Sequence, residues 1–257
     1  SKGLSASFSA PAESGVTFER AESLYKCLNK DPTKKKSGYS NDDFVDLIIE
    51  YPNECTIKYA FDAFSNDGIR CKIYPLSMLC ALGASIAAIR ECYEAHKIAI
   101  HEKDVWIGTP LHYACIYGAQ LDVIKYLVGI NNNLLVEIDE RKLTPLHMAI
   151  ISDATPKVVS FLMKASSASL LMVDMNGMMP LHLACESDTD IDVVKDMIRE
   201  YSLACVARTS DGSTPLHIAV GRKAQLSLLK ALVKGHVAAL TVDDNRGRIP
   251  LHVAVAV

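Results

Sequence analysis

No stretch of the 257 residues approaches the roughly 18 uninterrupted apolar residues of a membrane-spanning helix, so direct membrane insertion is not expected. The opening residues, Ser1-Lys2-Gly3 onward, lack the apolar centre of a secretory leader. Neither sign of charge dominates: 27 Lys and Arg stand against 30 Asp and Glu, a net of −3. That argues against nucleic-acid binding driven by bulk charge and leaves only a local basic patch. Aromatic residues make up 7% and there is one tryptophan. The eight cysteines (Cys27, Cys55, Cys71, Cys80, Cys92, Cys115, Cys185 and Cys205) include no Cys-x-x-Cys pair, and most lie within apolar segments. Buried free thiols in a reducing compartment are expected, in the cytoplasm or nucleus, or in an organelle reached through a segment removed ahead of Ser1. What is abundant is apolar: 49% of the residues, enough for a sizeable core.

The chain is periodic. Proline recurs at Pro75, Pro110, Pro145, Pro180, Pro215 and Pro250, a constant interval of 35. Leucine follows each one, and histidine comes next at His112, His147, His182, His217 and His252, with Ser77 in the earliest copy. Thr109, Thr144 and Thr214 precede the proline, and Ala114, Ala149, Ala184, Ala219 and Ala254 fall two after the histidine slot. Thr109-Pro110 is a helix start: a hydroxyl cap, then proline where no amide donor is needed. The alanine lets a neighbouring helix approach. A second apolar stripe follows at helical spacing, as in Leu121, Ile124, Leu127 and Val128, and Thr155-Pro156 opens it in one copy. Asp104, Asp139, Asp174 and Asp244 open turn-like stretches such as Asp174-Met175-Asn176-Gly177, with Thr209 the exception. One unit therefore reads as turn, helix, short loop, helix and extended return.

At these residues the chain resembles the ankyrin-repeat family, whose motif is Thr-Pro-Leu-His-x-Ala; the copy Thr214-Pro215-Leu216-His217-Ile218-Ala219 matches it throughout. That family repeats about every 33 residues. The two additional residues here fall between the helices and after the second one, where insertions are tolerated. The resemblance implies an all-α solenoid of stacked helix-turn-helix units with β-turn fingers and a concave face. It covers residues 69–257, the last repeat being incomplete. Ahead of it, residues 17–68 read as an N-terminal capping helix (17–29) and a degenerate first repeat. In that repeat Phe44, Val45, Ile48 and Ile49 mark the second helix, Tyr51–Cys55 its return strand, and residues 59–68 an enlarged finger. Residues 1–16, rich in Ser, Ala and Gly, are expected to form a flexible arm, and Lys34-Lys35-Lys36 a solvated loop.

The regularly spaced histidines invite a metal reading, which geometry opposes. Stacked units place equivalent atoms ~8–10 Å apart, whereas a metal holds its ligands at about 2.0–2.3 Å. The resemblance implies that each ring instead braces its turn. The His112/Cys115 and His182/Cys185 pairs fall in a column otherwise holding Ile150, Val220 and Val255, a buried apolar slot that cysteine suits. No glycine-rich phosphate loop and no Ser-His-Asp arrangement stands out. No catalysis, metal or cofactor is expected.

By the resemblance, a partner meets the finger tips and the exposed side of the first helices. The residues expected to bind it are Val105, Trp106, Tyr117, Arg141, Met148, Ile151, Met175, Met178, Asp211 and Arg246. Tips are ordinarily polar, yet these hold the tryptophan and two methionines, types enriched at interfaces. The competing explanation is that Met175 and Met178 only pad their turn. The leading function is a non-catalytic protein-interaction module or scaffold. The alternative is a structural subunit held through its ends and N-terminal arm, which would not persist alone as a monomer. The last motif, Ile249 to Val257, supplies a first helix with no successor to cover Val253 and Val255. Capping by a partner, by chain beyond Val257, or by self-association is expected there.

Overall fold

The computed structural model describes residues 23–33, 41–66, 69–105, 107–187 and 189–256. The arm over 1–16, the Lys34-Lys35-Lys36 run and Trp106 lie outside them, as does the part of the capping helix before Ser23. Ser23–Leu28 forms α1 and Asn41–Glu50 forms α2. A hairpin of β1 (Tyr59–Asn66) and β2 (Ile69–Ile73) follows. Inner and outer helices then alternate: α3 (Pro75–Ala81) with α4 (Ile86–Ala95), α5 (Pro110–Ile116) with α6 (Leu121–Ile130), and α7 (Pro145–Ile151) with α8 (Pro156–Ala165). They continue as α9 (Pro180–Glu186) with α10 (Ile191–Glu200), α11 (Pro215–Gly221) with α12 (Leu226–Gly235), and α13 (Pro250–Ala256). Inner helices pack on inner helices and outer on outer, so the chain is an all-α solenoid, with one short hairpin among the described residues. No helix among the described residues is long and apolar enough to cross a membrane.

Each full inner helix starts on its proline because the ring presets the helical φ and the missing donor is not needed there. Ala114, Ala149, Ala184 and Ala219 are fully buried where successive inner helices touch. The outer helices turn a stripe inward, Val123, Ile124, Leu127 and Val128 on α6 and Val158, Val159, Leu162 and Met163 on α8. On α2, Phe44 and Ile48 are buried while Ile49 faces solvent. The return after each outer helix is not simply extended, contrary to the sequence-based expectation. It begins with one 3-10 turn, as at Asn132–Val136 and Ser202–Val206, and the first such turn, Pro52–Thr56, replaces the strand expected over Tyr51–Cys55. The turn tucks two adjacent side chains under the helix, Leu134 with Leu135 and Ala204 with Cys205, which an extended chain would point to opposite sides.

The hairpin occupies the stretch where the enlarged finger was expected. Its strands pair antiparallel, Tyr59 with Ile73 and Asn66 with Ile69, with a register shift between Ala60 and Ser65. α1 anchors it: the Tyr25 ring stacks on Tyr59 and Phe61 at 5.3 and 5.7 Å, and the Tyr25 hydroxyl donates to the Ala60 carbonyl at 3.3 Å. At the other end α13 leaves Leu251 and Val255 exposed, 65% and 84%.

One column departs from its own rule. Gly177, Gly212 and Gly247 turn the fingers with φ of +74, +84 and +71°, and the equivalent residue one unit earlier is Lys142, at φ +61°. A side chain there crowds its own carbonyl, at a cost of roughly 1 kcal/mol. Lys142→Gly is therefore expected to stabilise the protein by about 0.5–1 kcal/mol in urea titration; a loss of stability would show that the lysine side chain contributes more than the strain takes away.

Candidate partner-binding surface

The fingers are built by carboxylates. Asp139 Oδ1 accepts from the amides of Arg141 (2.9 Å) and Leu143 (2.7 Å), and Asp174 Oδ1 from those of Asn176 and Met178 (both 2.8 Å). Asp244 Oδ1 accepts likewise from Arg246 (2.8 Å) and Arg248 (2.9 Å). The copy that has Thr209 in this slot recovers the same order by another route. Asp211, two residues on, takes the hydroxyl of Thr209 and the amide and hydroxyl of Ser213. The Thr209 hydrogen bond is the main reason the Asp211 carboxyl sits below the usual range. Successive fingers are joined through their backbones: Met175 N donates to Arg141 O (2.9 Å), Ser210 N to Asn176 O (2.8 Å) and Asn245 N to Asp211 O (3.1 Å). Each finger is held by itself and by its neighbour, so a tip side chain is presented on fixed backbone.

The histidines lock each inner helix to the chain that follows. His112, His147, His182 and His217 accept on Nδ1 from the amides of Thr109 (3.2 Å), Thr144 (3.1 Å), Met179 (3.1 Å) and Thr214 (3.2 Å). Nδ1 as acceptor puts the proton on Nε2. Nε2 then donates to the carbonyls of Leu143 (3.0 Å), Met178 (3.3 Å), Ala207 (3.1 Å) and Arg248 (2.8 Å), respectively. Both ring nitrogens are used in each of these four rings, and each bridges to the return or finger of the next unit. Burial pushes His112, His147 and His182 down to about 4, so they are neutral at pH 7. Cys115 and Cys185 are buried in their apolar column, and burial pushes both thiols up. Among the described residues no group of three His, Cys, Asp or Glu could hold a metal ion.

The expected contact residues separate into three groups. Val105 and Met175 project from the tips, each 61% exposed, and Ile151 at the end of α7 is 46% exposed. Arg141, Asp211 and Arg246 are also exposed, although Asp211 already has both carboxylate oxygens engaged in its own turn. Tyr117 and Met178 are half-buried. Tyr117 stacks on Tyr113 at 6.4 Å, and Met178 packs against the core while its carbonyl accepts from His147 Nε2. Met148 is a correction. It is 1% exposed, and its equivalents Tyr113 and Leu183 are buried with it. α7 is flanked by α5 on one side and α9 on the other, which closes this column; only the last helical turn, at Ile151 and Glu186, emerges. Trp106 lies outside the described residues.

Between the fingers and the inner helices lies a depression of about 300 Å³ that brings Met178 and Asp211 together with Glu186 and Ile218. Neither Glu186 nor Ile218 was among the expected contact residues: Glu186 continues the Ile151 column at the end of its helix and is exposed, whereas Ile218 continues the Met148 column and is half-buried. A wider cleft of about 840 Å³ opens between the interhelix loops, lined among others by Glu186, Asp190, Arg222 and Gln225. Arg222 crosses it, its Nη2 donating to the Glu186 carbonyl at 2.9 Å.

A family model for ankyrin repeats in three copies matches residues 78–174 and 181–256. No curated protein matches the chain. The family match covers most of the sequence and coincides with the proline-started helix pairs and histidine-braced fingers: this chain belongs to the ankyrin-repeat family.

Proposed function

We propose that the chain is a non-catalytic interaction module that binds a protein partner through its fingers and the adjoining side of its inner helices. Ankyrin repeats generally serve protein–protein interaction. The observation that carries the proposal for this chain is the apolar character of its rigid tips. Met175 stands in water on a turn closed by Asp174, and Val105 on one where Asp104 Oδ1 accepts from Ile107 N at 2.9 Å, so neither side chain is required for its turn. On preorganised backbone a partner that covers them has only the side-chain entropy to offset, about 0.5–1.5 kcal/mol for a flexible side chain such as Met175. The depression that begins at Asn176, next to Met175, pairs an apolar wall, Met178 and Ile218, with two carboxylates, Glu186 and Asp211. It suits a cationic or amide-bearing side chain flanked by an apolar one. Trp106 enters the proposal by its place in the sequence next to Val105.

The test is capture of the partner from the native source by the whole chain, followed by calorimetric titration of the purified pair. Ile151→Ala with Met175→Ala is expected to weaken binding by about 2 kcal/mol while leaving thermal unfolding nearly unchanged, and Trp106→Ala alone by a similar amount. A partner that binds all variants equally would place the contact elsewhere.

A further inference from the structure

The outer helices repeat a contact that the periodicity does not announce. Arg90 on α4 lies over the Tyr126 ring of α6, 5.6 Å from its centre, and Lys125 on α6 lies over the Phe161 ring of α8 at 5.8 Å. In both cases the ring comes 36 residues after the cation, on the next outer helix, and packs against the core. At the following seam the pattern lapses, with Ser160 and Asp196 in the two positions. At the last one the cation returns and the ring does not: Lys195 stands on α10, and the residue 36 positions later, on α12, is Ala231.

The missing ring leaves a space. A groove of about 630 Å³ runs along the seam between α10 and α12. Ile198, Ala231 and Gly235 supply apolar floor, and Lys195, Arg199, Lys230 and Lys234 stand on its rim. Gly235 draws the end of α12 close, since a Cβ there would stand 3.1 Å from Cys205 Sγ and would collide with Ile198. Lys195 meets Asp192 at 2.8 Å and Arg199 meets Asp196 at 2.7 Å, both along the helix surface; Lys195, Asp192 and Arg199 are exposed and Asp196 is half-buried, so these surface pairs are weak. Lys230 and Lys234 make no ion pair among the described residues, and α12 carries no acidic side chain. The rim therefore has more positive than negative charge around an apolar recess.

We propose that this groove binds an acidic segment of a partner protein through one aromatic side chain. That side chain takes the post left vacant at Ala231, beneath Lys195, while flanking carboxylates meet Lys230 and Lys234. The earlier seams show the arrangement already satisfied within the chain: a ring between two outer helices with a cation over its face. An anionic bilayer fits less well, because a membrane surface is met by projecting apolar side chains and here the apolar atoms are recessed. The site lies on the outer helices and does not rest on the finger surface proposed above.

A random-peptide display library panned against the whole chain tests this, with selected peptides then measured by fluorescence anisotropy. The selected peptides are expected to carry an aromatic residue close to Asp or Glu. Ala231→Phe, which restores the ring seen at Phe161, is expected to lower their affinity about tenfold or more with no loss of thermal stability. Lys230→Glu with Lys234→Glu, both on the surface, is expected to do the same by charge, and it keeps the test decisive if the phenylalanine disturbs packing. Ile151→Ala with Met175→Ala is expected to leave this binding unchanged. Peptides without the aromatic–acidic signature, equal binding to the Ala231→Phe and charge-reversed variants, or binding of phosphatidylserine vesicles in place of peptides would overturn the proposal.

Discussion

Acidification from pH 7 to pH 5 is expected to remove several kcal/mol of folding stability. His112, His147 and His182 have folded-state values near 4, against 6.5 for an unhindered histidine, chiefly because they are buried. Each ring also uses Nδ1 to accept a backbone amide, and protonation removes that lone pair. Between those two values the unfolded chain binds more protons than the folded one, so stability rises with pH across this window. The contribution is complete above about pH 6.5 and is lost progressively as pH falls toward 4. Each ring gives up about 2 kcal/mol by pH 5. Glu54 and Asp139, whose carboxyls burial pushes up, act in the opposite sense and make the slope shallower. Urea titrations at pH 7, 6 and 5 measure the effect. His147→Gln should lower stability at pH 7 and also flatten the pH dependence by about one third, because one of three titrating rings is gone. A stability independent of pH in this range would mean that the rings titrate normally and that the braces open readily.

Gly212→Ala is expected to destabilise the protein by about 3 kcal/mol or more, well beyond the same change at Gly247. Both glycines turn a finger at positive φ, +84 and +71°. Their surroundings differ. A Cβ on Gly212 would lie 2.5 Å from the Asn245 amide nitrogen and 2.8 Å from Arg208 Nη2, and would collide with Asn245 Oδ1. Relief requires the next finger to move. That movement breaks the bonds from Asn245 N to Asp211 O (3.1 Å) and from Asn245 Nδ2 to Ser210 O (3.0 Å). Nothing stands within 4 Å of a Cβ on Gly247, so only the backbone strain applies there, about 1 kcal/mol. Parallel urea titrations of the two variants separate the contributions. Equal losses would show that the fingers are not held by one another.

Much of this protein was legible in one dimension because its repeated interactions are local. Proline presets the helix start, the carboxylate of Asp139 or Asp174 closes a turn four residues long, and the histidine reaches an amide three residues back. Interactions of that range appear in the sequence as fixed offsets, and the 35-residue spacing repeats them in register. The far end of each histidine bond was not legible, since Nε2 of His147 meets a carbonyl 31 residues on while that of His182 meets one 25 residues on. Burial on the inner helices was not legible either. Met148 and Ile151 both lie on α7, a single turn apart, and only the packing of α5 and α9 against that helix encloses one and leaves the other in water. The same holds for the Asp211 turn, where a carboxylate moved by two residues does the work expected of position 209. It holds again for the groove at Ala231, which is an ordinary small residue in sequence and becomes a vacancy only beside Lys195 on the neighbouring helix. Local offsets set which helices form and where they begin. Which side chains face solvent depends on what stands next to them, and neighbours 35 residues apart meet only when the units stack.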